Sequence, residues 1–339
     1  MKNSIAQIIL VFSLALSSCS PAQEPDEWDG LPIEATPSLR IEGAAGDEDF
    51  AKKPVGAVQG TPIRVRVAKP EGATEIRWFQ IVPDTAKYYK NANHPWEKEP
   101  YKWVGFGEID YERVEVEEFR GKWEIAFDYG EIFDGVSRSR NYRSDLGSFW
   151  LQAEVLKNGK RLRSAGLAEN DHRNLSPSVF RISIRKDDGY LGYLTSFFNV
   201  PGLFGSIPYQ SGNYIGADCA DVLVAANRKW RGLEGSKDYN VAMLTSEWPK
   251  AATCRIEDGK PDETLTWGEE IEPGDAIAVR YRPGKQFQHI GALYGDSNEN
   301  GILDPADFML HAGPDALHLS KLGAGSFDGE VVILRPPSS

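Results

Sequence analysis

The feature that most restricts the fold is a series of short alternating segments separated by turn formers. Ile63-Arg64-Val65-Arg66-Val67 alternates apolar and charged residues with period 2, and Glu75-Ile76-Arg77-Trp78 does the same. Period 2 puts successive side chains on opposite faces of a strand, so both segments read as strands with one buried face. Residues 114–116, 123–127, 149–155 and 179–184 are further candidates, separated by Pro70-Glu71-Gly72, Asn158-Gly159 and Ser176-Pro177. Asn-Gly accepts the positive φ angles of a type I′ turn, so 156–161 reads as a hairpin tip. Many short strands without a long helical pattern predict an all-β sandwich over residues 50–187. Trp96, Tyr101, Trp103 and Phe106 lie within it, and read as core aromatics, with glycan binding the alternative.

The chain has 339 residues, a length that suits two domains. Its first residues predict a secretory signal: Met1-Lys2, an apolar stretch from Ile8 to Leu16, then Leu16-Ser17-Ser18-Cys19. That ending resembles the bacterial lipobox, which implies cleavage after residue 18 and acylation of Cys19. Residues 19–49, rich in Pro, Glu, Asp, Gly and Ala, read as a flexible tether. The expectation is a body held by lipid at the cell envelope, on the periplasmic face of an outer membrane or at the cell surface. A net charge of −12 argues against nucleic acid as a partner.

Two thiols remain after lipidation, Cys219 and Cys254. They read either as a disulfide or, preferably, as one reactive thiol and one bystander. The stretch from Gly205 to Asp218 is a Gly-rich loop ending in a candidate N-cap, and an apolar helix follows. Cys219 falls in its first turn, where the helix dipole favours thiolate and free N–H groups can receive an oxyanion. Gln288-His289-Ile290-Gly291-Ala292 and Phe308-Met309-Leu310-His311 are strand candidates. His289 is placed to take the thiol proton, and His311 to orient His289.

Four ordered blocks then resemble the NlpC/P60 family of cell-wall peptidases: Pro208-Tyr209 through Asp218-Cys219-Ala220-Asp221, Pro273-Gly274-Asp275, His289-Ile290-Gly291-Ala292-Leu293-Tyr294, and Leu310-His311-Ala312. The resemblance covers about Gly205 to Gly313. It implies an α+β papain-like domain at 188–339, behind a sandwich whose layout resembles an immunoglobulin-like domain. It implies Cys219 as nucleophile, His289 as base, His311 as orienting residue and Tyr209 near the oxyanion. Peptidoglycan stem peptides, or another envelope polymer, would be cleaved through a thioester without an organic cofactor. Ala220, Asp221 and Asn213 depart from the family pattern. Two alternatives stay open: an inactive, calcium-stabilised envelope binding lipoprotein, and an acyl hydrolase or transferase on another substrate.

Between the two histidines lies an insertion, residues 296–307. Asp296, Asn298, Asn300, Asp304 and Asp307 occupy positions one, three, five, nine and twelve, Gly301 is at six, and Ile302 offers a carbonyl. That spacing matches a calcium loop and resembles dockerin loops, so bound calcium is expected.

Overall fold

The computed structural model describes residues 28, 30–95, 97–127 and 141–338. The signal segment, Cys19 and Trp96 lie outside these residues. Strands take up 37% of the chain and helices 13%.

Two groups of strands occupy the first half, antiparallel throughout except that Val55–Val58 pairs in parallel with Phe180–Arg185. Ile41–Ala45, Ile63–Val67 and Glu124–Phe127 form a three-stranded sheet with Ile63–Val67 central. Its residues Ile63, Val65 and Val67 turn inward and are buried, as their alternation requires. The larger sheet runs Val55–Val58, Phe180–Arg185, Gly147–Lys157, Ala73–Pro83, Tyr111–Glu115, with Lys160–Arg163 also on Gly147–Lys157. Asn158 (φ 50°) and Gly159 (φ 70°) close the hairpin between Gly147–Lys157 and Lys160–Arg163, the turn that Asn-Gly predicts.

The second half is built on seven antiparallel strands. Their order is Lys260–Pro261, Lys250–Glu257, Gly329–Leu334, Ala276–Arg280, His289–Gly295, Phe308–His311, His318–Lys321. Both faces are covered, which explains runs such as Ala276-Ile277-Ala278-Val279. Ala276, Ala278, Ile290, Ala292, Leu310 and Val332 join one apolar cluster. Their neighbours Ile277, Val279, Leu293, Met309 and Val331 join another, with Phe327. Four helices accompany the sheet: α1 (Tyr190–Thr195), α2 (Pro208–Gly212), α3 (Cys219–Arg231) and α4 (Val241–Glu247).

These proportions correct the expected α+β papain-like domain behind an immunoglobulin-like sandwich. The chain is mostly β, in several sheets, and among the described residues only α3 exceeds seven residues. The physical cause is local. Outside 219–231, the second half consists of short apolar runs broken by Gly, Pro and Asp, so it extends strands and lacks the segments for a helical layer.

Of the expected tether at 19–49, residues 19–27 and 29 lie outside the described residues, and the part described packs on the body. Trp28 is buried, Ile33 bridges to Arg161, and Ile41–Ala45 pairs with Ile63–Val67. A single apolar cluster runs from Leu39 to Leu334 and draws on both halves. Tyr89–Lys90 pairs in parallel with Leu203–Phe204, and Asn91 Nδ2 donates to Gln210 Oε1 at 2.7 Å. At Gly147 (φ 111°) a Cβ would lie 2.5 Å from the Phe198 carbonyl oxygen, so only glycine permits this approach.

Candidate active site

α3 starts at Cys219 because Asp218 caps it. The Asp218 carboxylate accepts from the N–H groups of Ala220 and Asp221, both at 2.9 Å, which satisfies two of the unpaired donors of the first turn. The Ser206 hydroxyl accepts from Asp218 N–H at 3.0 Å and donates to the buried Asp221 carboxyl. The helix ends at Gly232 (φ 64°), with Arg228, Lys229 and Arg231 in its last turn, where cations complement the dipole.

His289 opens the strand His289–Gly295, and His311 closes the neighbouring Phe308–His311. Ala292 pairs with Leu310, so alternation puts His289, Gly291 and His311 on one face. Gly291 makes room: a Cβ there would meet His311 Cβ at 2.8 Å and the Phe327 ring at 2.9 Å. His289 Nε2 lies 3.0 Å from His311 Nδ1, and His311 Nε2 lies 2.8 Å from Ser320 Oγ. A third imidazole, His318, has its ring 4.4 Å from that of His311. His318 also lines a cavity of about 380 Å³ with Tyr142, Arg143 and Phe198.

Cys219 approaches from the other side of the sheet, where α3 packs on the strand His289–Gly295. Its thiol is set against the N–H of Ile290, the peptide that follows His289, and this contact favours thiolate. No hydrogen bond joins the thiol to His289 among the described residues. The structure therefore assembles His289, His311 and Ser320, and brings Cys219 to the adjoining peptide. Cys219 and Cys254 are both free thiols, as the preferred reading required.

The electrostatics correct one expectation. Burial first, then the Asp218 and Asp221 carboxyls, push the Cys219 thiol well up. These outweigh the helix dipole, because a desolvated thiolate beside carboxylates is costly. Burial, then His318, lowers His289 to about 4, and His311 falls for the same reasons plus His289 itself. At neutral pH the resting pair is a neutral thiol and a neutral imidazole.

Tyr209, expected near the oxyanion, has its hydroxyl taken up by another partner. It is 39% exposed, and its hydroxyl is bound to Asp171 in the first half, a contact that raises it to about 12. The tyrosines whose phenols feel the Cys219 charge are Tyr88 and Tyr281. Neither lies near the cysteine in sequence, and no local signal marks them. Ser320 and His318 were equally unmarked, although the strand they occupy pairs directly with that of His311.

The 296–307 loop folds on its own side chains. Asp296 accepts from the N–H groups of Asn298, Asn300 and Gly301, and Gly301 has φ 80°. The amides of Asn298 and Asn300 converge on Asp304 Oδ2 at 2.9 and 2.6 Å. Asp296, Asn298, Asn300 and Asp304 carry their oxygens on this one loop, and here each of those oxygens accepts from an N–H of the loop itself. Asp307, expected as a ligand, is fully buried, and its oxygens accept from Ser297 N–H, Asp304 N–H and the Trp267 indole. Ile302 pairs with Thr266 across an isolated bridge. Among the described residues no group of three or more His, Cys, Asp or Glu side chains is disposed around a metal position.

No family model, curated protein or solved structure matches the chain. Among the described residues no helix is long and apolar enough to cross a membrane.

Proposed function

We propose that this chain is a lipid-anchored cell-envelope cysteine hydrolase that cleaves an amide bond in peptidoglycan stem peptides. The observation that carries the reading is the relay His289–His311–Ser320, ending at the peptide against which the Cys219 thiol rests. The resemblance to NlpC/P60 peptidases enters for its chemistry alone.

The relay fixes protons. If His311 Nε2–H donates to Ser320, His311 Nδ1 must accept, and His289 then carries its proton on Nε2. That tautomer leaves His289 Nδ1 as the base. The thiol proton passes from Cys219, on the α3 face, to His289 Nδ1 once substrate entry turns the imidazole toward that face or a bound water bridges the two, as sulfur attacks the carbonyl carbon. Asp218 already holds the N–H groups of Ala220 and Asp221, so Cys219 N–H is the first-turn donor left for the oxyanion. The proton on Nδ1 passes to the leaving amine as the C–N bond breaks. Water, deprotonated by His289, then hydrolyses the thioester.

Calcium belongs to the proposal as a structural ion, held by Asp296, Asn298, Asn300 and Asp304. It would order the loop between the strands that carry His289 and His311. The anchor is the acylated Cys19.

The test is digestion of purified peptidoglycan, with new amine ends counted. Wild type releases peptides, while Cys219→Ala and His289→Ala do not, and circular dichroism shows both variants folded at the assay temperature. A wild type that releases nothing supports the second reading, an envelope binding protein. That reading is favoured by the raised thiol and by the lack of a hydrogen bond between Cys219 and His289.

A further inference from the structure

We infer that the surface carrying Tyr101, Trp103, Phe106, His172 and Tyr209 is a binding platform for a glycan chain of linked pyranose rings. This goes beyond the proposed hydrolysis and does not depend on it.

The rings were expected in a core, and the structure places them outside. Tyr101 is 72% and Trp103 41% exposed, and Val104 between them is 56% exposed. From Trp103 the aromatic surface is continuous: Trp103 meets Phe106 edge-on at 5.2 Å, Phe106 stacks on His172 at 4.3 Å, and His172 meets Tyr209 at 5.5 Å. These are ring-on-ring packing contacts that hold the cluster together, and its most exposed rings are Tyr101 and Trp103. Burying large rings is strongly favourable, so several rings left together in water mark a recognition surface.

The partner follows from what accompanies the rings. Arg173 is paired with Glu108, and Asp171 holds the Tyr209 hydroxyl. These charges answer one another, so the face offers no strong field to an anionic polymer, in a chain of net charge −12. What remains is flat apolar rings interleaved with hydroxyl and imidazole groups. A pyranose has the complementary surface, an apolar C–H face edged by hydroxyls. An aliphatic groove, which a peptide helix would need, is lacking here, since Val104 is the one exposed aliphatic side chain within the stretch. The platform also leads to the candidate active site. Tyr209 lies on α2, just before the loop into α3, and Tyr101 feels the charges of Asp218 and Asp238. A glycan held on it would present attached groups to the Cys219 end of α3.

The experiment is calorimetric titration of the full chain with soluble β-1,4-linked N-acetylglucosamine oligomers, which carry no peptide to cleave. Saturable binding is expected, tighter for the hexamer than for the dimer because more rings are engaged. Trp103→Ala and Tyr101→Ala each weaken it at least tenfold, and Trp103→Phe keeps most of it. These side chains are exposed, so the variants retain the wild-type melting temperature. The absence of oligomer binding, or binding that ignores both alanine variants, overturns the proposal. So does a sugar-free peptide that binds through Trp103 and Tyr101 while the oligomers do not.

Discussion

Replacing Gly291 by alanine perturbs the candidate site through geometry alone. The new Cβ would sit 2.8 Å from His311 Cβ, 2.9 Å from Phe327 Cζ and 3.0 Å from the Leu310 carbonyl oxygen. Ordinary contact begins near 3.5 Å, so the neighbours must yield by roughly 0.5–0.7 Å. None of the three atoms is the loose end of a flexible side chain. His311 is also held on both sides, at 3.0 Å by His289 and 2.8 Å by Ser320. A movement of that size takes the His289 bond to about 3.6 Å, where it no longer counts as a hydrogen bond. Overpacking of this kind costs about 1–3 kcal/mol, which lowers Tm by roughly 2–8 °C in a chain of this size. Misplacing the orienting imidazole reduces peptide release on the order of 10²-fold. The assay pairs thermal melts with peptidoglycan digestion. Gly212→Ala is the control, because no heavy atom lies within 4 Å of its added Cβ. Wild-type Tm and digestion in Gly291→Ala would mean that His311 does not rest against Gly291, and the relay would lose its basis.

Iodoacetamide should label Cys219 slowly at pH 7 and faster as pH rises, since burial and then the Asp218 carboxyl push its thiol up; rapid labelling of the wild type at pH 7 would refute the neutral resting pair. His289 stays neutral in the folded state down to about 4, against an ordinary value of 6.5. The unfolded chain therefore takes up that proton first, and the stability present above pH 6.5 is lost as pH falls to 4, by roughly 3 kcal/mol for this group. Asp218 and Asp221, both pushed up, act with the opposite sign, so the measurement is the difference in urea midpoints between wild type and His289→Asn at pH 7 and 4.5; no difference in slope would sink it. Calcium should raise Tm with a dissociation constant on the order of 10⁻⁴–10⁻³ M, and Asp296→Ala with Asp304→Ala should abolish the effect, whereas a wild-type Tm indifferent to calcium leaves only a polar loop. Asp307→Ala should lower Tm even under chelator, because Asp307 ties Ser297, Asp304 and Trp267 together; an unchanged Tm would restore it to the ligand set. Cys19→Ser should leave the protein uncleaved or soluble, and unchanged membrane partition would point to another tether.

Local patterns carried a definite part of this structure. The alternation in Ile63–Val67, the Asn158-Gly159 turn, the Asp218 cap before Cys219 and the strands bearing His289 and His311 were all legible. Each depends on residues within a few positions of one another, where φ/ψ preference, one hydrogen bond or side-chain periodicity decides the outcome. The layering was not legible. Whether short apolar runs pair into one seven-stranded sheet or feed a helical layer depends on contacts between distant segments. The burial of Trp28 and Ile41–Ala45 against later strands likewise cancels a composition that reads as a tether. The site divides along the same line. Cysteine and two histidines in a plausible order were visible, but their ionisation was not: it follows from desolvation and from Asp221, His318 and Ser320, which only the assembled sheet and helix bring close. Tyr209 shows the same limit from the other direction, since its hydroxyl partner Asp171 is distant in sequence and nothing near Tyr209 announces that contact.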